Sequence, residues 1–188
     1  MNQPYESFYE SLVISKLWLC EELEKILDSR HHINPSIKVL GGWHNLMSFM
    51  LLIRRPNYYK QIDSYDKDVE AKAVADMICN AWSNVTNHIE DVLFLNFSQD
   101  PSNTVYINCS VDQFKTTAWY DTIPKGCIVC IQTSDIIDDS QDWEILQKTK
   151  DIEELKICYP MSETLYTGLN PFKYKAGDFN RLMLIGIK

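Results

Sequence analysis

The chain has 188 residues, the length of one ordinary domain, and folding at that size removes about 70 % of the unfolded chain's surface from water. Hydrophobic residues make up 45 % of it and charged residues 23 %, which excludes a disordered or low-complexity polypeptide. The net charge of −8, from 26 acidic and 18 basic residues, disfavours extended nucleic acid as a partner, since phosphates are neutralised by basic surfaces.

The opening MNQPYESFYES has neither the basic region nor the apolar stretch of a secretion signal, and the longest apolar run, residues 46–53, falls short of the ~20 residues that span a bilayer. A cytoplasmic protein without membrane attachment is expected. The cysteines at 20, 79, 109, 127, 130 and 158 lack the spacing of a disulfide scaffold and read as reduced thiols. The cluster Arg54, Arg55 and Lys60 reads as a solvated helix end rather than a nucleic-acid patch.

In chain order, residues 5–29 form an amphipathic helix, with Phe8, Leu12, Leu19, Leu23, Ile26 and Leu27 at three- and four-residue steps. A turn at 34–36 precedes a strand at 37–40, then Gly41 and Gly42, then an apolar helix at 44–55 that stops at Pro56. A second strand over 58–65 closes at Asp66, and a helix follows at 69–82. Strands at 86–90 and 105–108 flank a polar loop at 98–103. A short helical stretch at 113–120 and the turn Pro124, Lys125, Gly126 lead to the clearest strand, CIVCIQT at 127–133. An acidic loop at 135–142 and a helix at 151–156 come next. Two extended runs, 163–168 and 182–187, close the chain with no helix between them, the pattern of an antiparallel hairpin. One Rossmann-like α/β domain spanning 1–188 is expected: a three-layer sandwich around a seven-strand, mostly parallel sheet, with 1–33 as an amino-terminal helical extension.

This order resembles that of class I S-adenosylmethionine-dependent methyltransferases, and among them the short phage-encoded ones. The resemblance covers about residues 36–188 and rests on four motifs. KVLGGWHN lies where the family binds the methionine part of S-adenosylmethionine, which places Gly41, Gly42, Trp43 and His44 at the cofactor; glycine there permits close backbone approach. The match is partial. Later glycine positions of the family fall on Trp43 and Asn45, and Val39 stands where an acid is usual. Asn45 tolerates a left-handed backbone; Trp43 is not expected to imitate glycine, so either the loop runs differently or the indole packs on the ligand.

In IDSYDKD, Asp66 closes the second strand, where an acid accepts hydrogen bonds from ribose hydroxyls, while Asp68 reads as a helix cap. In HIEDVLF, the resemblance gives Asp91 the adenine amino group and Val92 the adenine face; a plain turn is the alternative for Asp91. In YINCSVDQF, at the end of the strand that the resemblance turns toward the transferred methyl, Asn108, Cys109, Ser110 and Asp112 are the candidates for orienting the acceptor, with Asn108 also at the cofactor and Asp112 the candidate base. Capping of a helix start is the competing reading for Asp112.

Other chemical signals have structural explanations. Cys127 and Cys130 are spaced for a metal, yet three-residue spacing on a strand points them to opposite faces. His31 and His32 suit a helix C-terminus, and His88 is a strand residue. No metal-hydrolase, nucleophile-elbow or P-loop pattern is present. The expected function is methyl transfer to a small-molecule or modest macromolecular acceptor. The alternatives are a non-catalytic S-adenosylmethionine-binding module, suggested by the eroded glycine motif, and an enzyme that degrades the cofactor.

Overall fold

A computed structural model describes residues 9–136, 145–173 and 178–188; most of the acidic loop at 135–142 lies outside them. The described chain runs α1 (Glu10–Ser29), β1 (Ser36–Leu40), α2 (Leu46–Arg54), β2 (Gln61–Asp66), α3 (Val69–Cys79), β3 (Val85–Ile89), β4 (Thr104–Asn108), α4 (Ala118–Thr122), β5 (Ile128–Ser134), α5 (Ile152–Cys158), β6 (Glu163–Phe172) and β7 (Phe179–Ile187). Single 3-10 turns at Val92–Phe94 and Val111–Gln113 follow β3 and β4.

Seven strands form one sheet in the order β3-β2-β1-β4-β5-β7-β6. β1 to β5 pair in parallel, and β7 is antiparallel to both β5 and β6. The closing hairpin forms an antiparallel edge beyond β5, with β7 lying between β5 and the outermost strand β6. Central strands are buried on both faces, as their continuous apolar composition requires: every residue of β4 and β5 is buried.

Alternation of side chains splits the interior into two cores. Ile37, Val39, Ile62, Ile107, Ile128, Cys130 and Ile185 pack with α1 and α2 on one face. Leu40, Tyr65, Tyr106, Cys127, Val129, Ile131 and Leu184 pack on the other, with Trp119 and Tyr120 of α4 and Leu155 of α5. Cys127 and Cys130 thus belong to opposite cores, and all six cysteines are free. Among the described residues no helix is long and apolar enough to cross a membrane.

The helix read as an extension shares its layer with α2: Leu19, Leu23 and Leu27 are fully buried in the same core as Leu51 and Leu52. Two polar contacts fix it there. Gln132 of β5 donates from Nε2 to the Ser15 carbonyl at 2.7 Å inside the core. At the other end, Arg54 donates from Nε and Nη2 to the two Glu24 carboxylate oxygens at 2.8 and 2.9 Å, and Arg55 pairs with Asp28 at 2.5 Å. The two arginines of the suspected basic cluster are thereby committed to α1.

The ends of the helices differ from the sequence reading for local reasons. α2 begins at Leu46 rather than 44 because Trp43 and Asn45 both have left-handed backbones, with φ of 47° and 56°. α3 ends at Cys79, and the helical stretch foreseen at 113–120 divides into a 3-10 turn and the five-residue α4.

Glu24 is nearly buried and holds Arg54 with both oxygens, whereas Asp28 is exposed. Glu24→Ala is expected to cost about 2 kcal/mol and Asp28→Ala clearly less, because solvent screens the exposed pair. Urea unfolding should show this as a lower midpoint for the first variant at unchanged slope.

Candidate functional site

Strand order reverses between β1, whose chain continues to β2 on one side, and β4 on the other; in open α/β sheets the crevice beyond the carboxyl ends at such a point is where ligands bind. A cavity of about 810 Å³ opens there. Its floor is made by the segments leaving β1, β2, β3 and β4, and α1 and the start of β7 complete the wall with Leu12, Lys16, Phe179 and Arg181.

The loop after β1 is held by the end of β2. The Tyr65 carbonyl accepts both the Gly41 and Gly42 amides, at 2.9 and 3.0 Å. The Asp66 carboxylate then accepts the Trp43 amide through Oδ2 at 2.7 Å and the Asp68 amide through Oδ1 at 2.9 Å. Two lone-pair positions remain on Asp66, which lines the cavity. Asp68 caps α3 by accepting the Glu70 and Ala71 amides.

Both glycines are explained by protein contacts. Gly41 has φ of 69°, and a Cβ there would lie 3.1 Å from the Phe114 ring. At Gly42 a Cβ would lie 2.0 Å from Ser64 Oγ. The close approach expected for a ligand is thus, at these two positions, made by Phe114 and Ser64.

Trp43 takes the left-handed backbone that glycine would supply, against the expectation drawn from its side chain. Such a conformation costs a β-carbon-bearing residue roughly 1–2 kcal/mol, which the short amide bond to Asp66 offsets. Its indole lines the cavity and stacks on His44, with ring centroids 4.0 Å apart and planes 18° from parallel. His44 itself is buried beneath the loop and is not part of the lining. Asn45 Nδ2 donates to Asn87 Oδ1 at 2.7 Å, and its Oδ1 accepts the Ser48 hydroxyl, so the loop is also tied to β3 and α2.

After β3, Asp91 accepts the Leu93 amide at 3.0 Å and so starts the 3-10 turn; Asp91 and the buried Val92 both line the cavity. After β4 the outcome is divided. Asn108 is fully buried, accepts the Ser110 amide at 2.9 Å and lies outside the lining. Its side chain closes the turn that presents Cys109 and Ser110 instead. Asp112 does line the cavity, almost wholly buried. Burial raises its pKa above the usual carboxylate range, opposed by Arg181, Lys16 and the Ser134 hydroxyl.

Lys16 and Arg181 were not singled out by sequence reasoning. Burial pushes both cations toward the neutral form, and the Asp112 carboxylate opposes it. Lys16 had a visible signal: it lies four residues after Leu12 and three before Leu19, on the apolar stripe of α1. Arg181 gave none beyond being the cation that opens an apolar strand. Cys109 is held protonated by burial, which makes it wall rather than nucleophile.

No protein-family model matches the chain, and no curated protein matches its sequence. Solved structures do match its fold. The N-methyltransferase NodS from Bradyrhizobium japonicum WM9 superposes with a TM-score of 0.64 at 10% identity, covering 90% of this chain and 94% of that one. NodS is also known in complex with S-adenosyl-L-homocysteine, again with a TM-score of 0.64. The CurJ carbon methyltransferase reaches 0.69 at 10% identity, covering 98% of this chain and 57% of that one. At such identities the likeness establishes a Rossmann-like fold shared with these methyltransferases and leaves the chemistry to the cavity.

The Gly42 contact gives a direct check on the loop. Gly42→Ala should cost about 1–3 kcal/mol through overpacking against Ser64. Adding Ser64→Ala leaves only contacts of 3.4 Å and beyond, so the double variant should regain most of the loss, read as a coupling energy in a thermal or denaturant double-mutant cycle.

Proposed function

We propose that the chain is an S-adenosylmethionine-dependent methyltransferase acting on a small acceptor. The observation that carries this reading is the cavity at the β1/β4 reversal, which gathers the Gly41–Gly42 loop, Asp66, Asp91, Val92 and Asp112 within one wall. Three of its features fit the cofactor. Its volume lies within the roughly 300–1,000 Å³ usual for small-molecule sites. Asp66 keeps two acceptor positions for sugar hydroxyls after binding two amides. Val92 offers a buried apolar wall beside Asp91, as a purine needs.

When bound, S-adenosylmethionine supplies a methyl group already activated on a sulfonium. The chain's part is then to bind, align and manage a proton. Gly41, Gly42, Trp43, Asp66, Asp91 and Val92 form the proposed contact set. His44 and Asn108 hold the loops from beneath and are assigned a positioning role. Asp112 is the proposed base: burial raises its proton affinity, so that once ionised its carboxylate takes up a proton from an acceptor more readily than an ordinary aspartate does. The narrower likeness to phage-encoded members is not needed for this reading.

Calorimetry with S-adenosylhomocysteine, and transfer of labelled methyl groups to a small-metabolite fraction, test it. Asp66→Ala should weaken product binding by about 1–3 kcal/mol, with a parallel thermal scan to separate lost contact from a loosened loop. Binding that is absent in the parent chain, or indifferent to Asp66, would overturn the assignment.

Asp112→Asn should leave that binding intact and lower turnover about 100-fold or more. In the parent, rate should rise with pH through a pKa above the ordinary aspartate range. Stability runs oppositely: the Asp112 contribution is full below the unfolded aspartate pKa and is lost as pH rises through the higher folded one.

A further inference from the structure

Resting on that reading, the far end of the cavity says what kind of acceptor fits. Lys16 from α1 and Arg181 from β7 share its wall with Asp112 and Cys109. Arg181 pairs across the sheet with Ser134, the last residue of β5, which sets its side chain at the carboxyl end of the parallel strands. Its position is fixed on both sides. Asp135 accepts the Asn180 amide and side chain at 2.7 and 2.6 Å, and the guanidinium lies 5.5 Å from the Phe179 ring centroid. Among the described residues, the buried Arg181 Nε has no hydrogen-bond partner.

We propose that Lys16 and Arg181 form a carboxylate-binding subsite for the methyl acceptor, so that the substrate is a small molecule bearing a carboxylate. Position distinguishes this subsite from that of the cofactor. β7 lies three strands from β1 in the sheet, roughly 14 Å at the usual strand spacing, on the flank away from Asp66 and Asp91. Charge selects the anion. Two cations face one carboxyl group, Asp112, so this end of the cavity carries more positive than negative groups and an anion complements it. The planar fork of Arg181 suits two-point contact with a carboxylate, and a free N–H there is what such a ligand would use. Burial already drives both cations toward neutrality, so an incoming anion relieves a cost paid by the folded chain.

The test uses the full chain and paired probes: glycine, β-alanine, glycolate and benzoate, each against its own primary amide, with inorganic phosphate as a further arm. Binding is followed by calorimetry with and without saturating S-adenosylhomocysteine. At least one acid should bind roughly ten- to a hundredfold more tightly than its amide, with phosphate weaker than that acid. Lys16→Met and Arg181→Met should each abolish the difference and leave S-adenosylhomocysteine affinity within about twofold of the parent. Lys16 lies on the surface of α1 that faces the cavity, so its variant decides the matter if the Arg181 variant fails to fold. Acids and amides that bind alike, or phosphate that binds best, would overturn the proposal. So would variants that lose S-adenosylhomocysteine, because the cations would then serve the cofactor's own carboxylate. Should the parent bind no S-adenosylhomocysteine, the cofactor reading fails alone, and the comparison of acid with amide still decides the subsite.

Discussion

The site depends on one carboxylate. Asp66 joins the loop after β1 to the segment after β2 by accepting an amide from each, at 2.7 and 2.9 Å. Without that bond the Trp43 amide would be left unpaired at a left-handed residue, a combination of strain and lost hydrogen bonding that few loops sustain. The Tyr65 carbonyl, with its two glycine amides, works beside it. The crevice is thus shaped before any ligand arrives, and its floor can be rigid while α1 and β7 provide the wall.

That wall differs chemically from the floor. Toward β2 and β3 the cavity offers acids and an apolar surface, Asp66, Asp91 and Val92. Toward β7 it offers two cations and a carboxylate whose proton is favoured by burial. The boundary falls at β4, where Asn108 turns its side chain into the backbone and brings Ser110 round. A sheet whose strand order reverses supplies two ends of one cavity with separate electrostatics, joined at β4.

Much of the architecture was legible in the sequence because hydrophobic period and turn chemistry are local. The strand–glycine–helix step at Leu40 to Leu46, the cap at Asp68 and the opposed faces of Cys127 and Cys130 each follow from a few adjacent residues. The acid at the end of β2 was legible for the same reason. What sequence could not supply was long-range. His44 and Asn108 leave the lining because their neighbours turn the backbone. Trp43 accepts a left-handed conformation because Asp66, 23 residues away, holds its amide. Arg181 reaches the cavity through the pairing of β7 with β5, and Lys16 through the docking of α1, which the bond from Gln132 to its neighbour Ser15 helps to fix. Contacts of that span are set by topology, and no window along the chain contains them.

The placement of β7 between β5 and β6 has a consequence for the order of assembly. During synthesis β1 to β5 emerge first and can pair in parallel, yet the antiparallel edge of β5 stays open until residues 179–187 leave the ribosome and slot between two earlier strands. Non-local closure of this kind is slow relative to helix and hairpin formation. The half of the crevice that carries Arg181 therefore matures last, and a nascent chain held short of it would present a finished cavity floor beneath an unfinished roof.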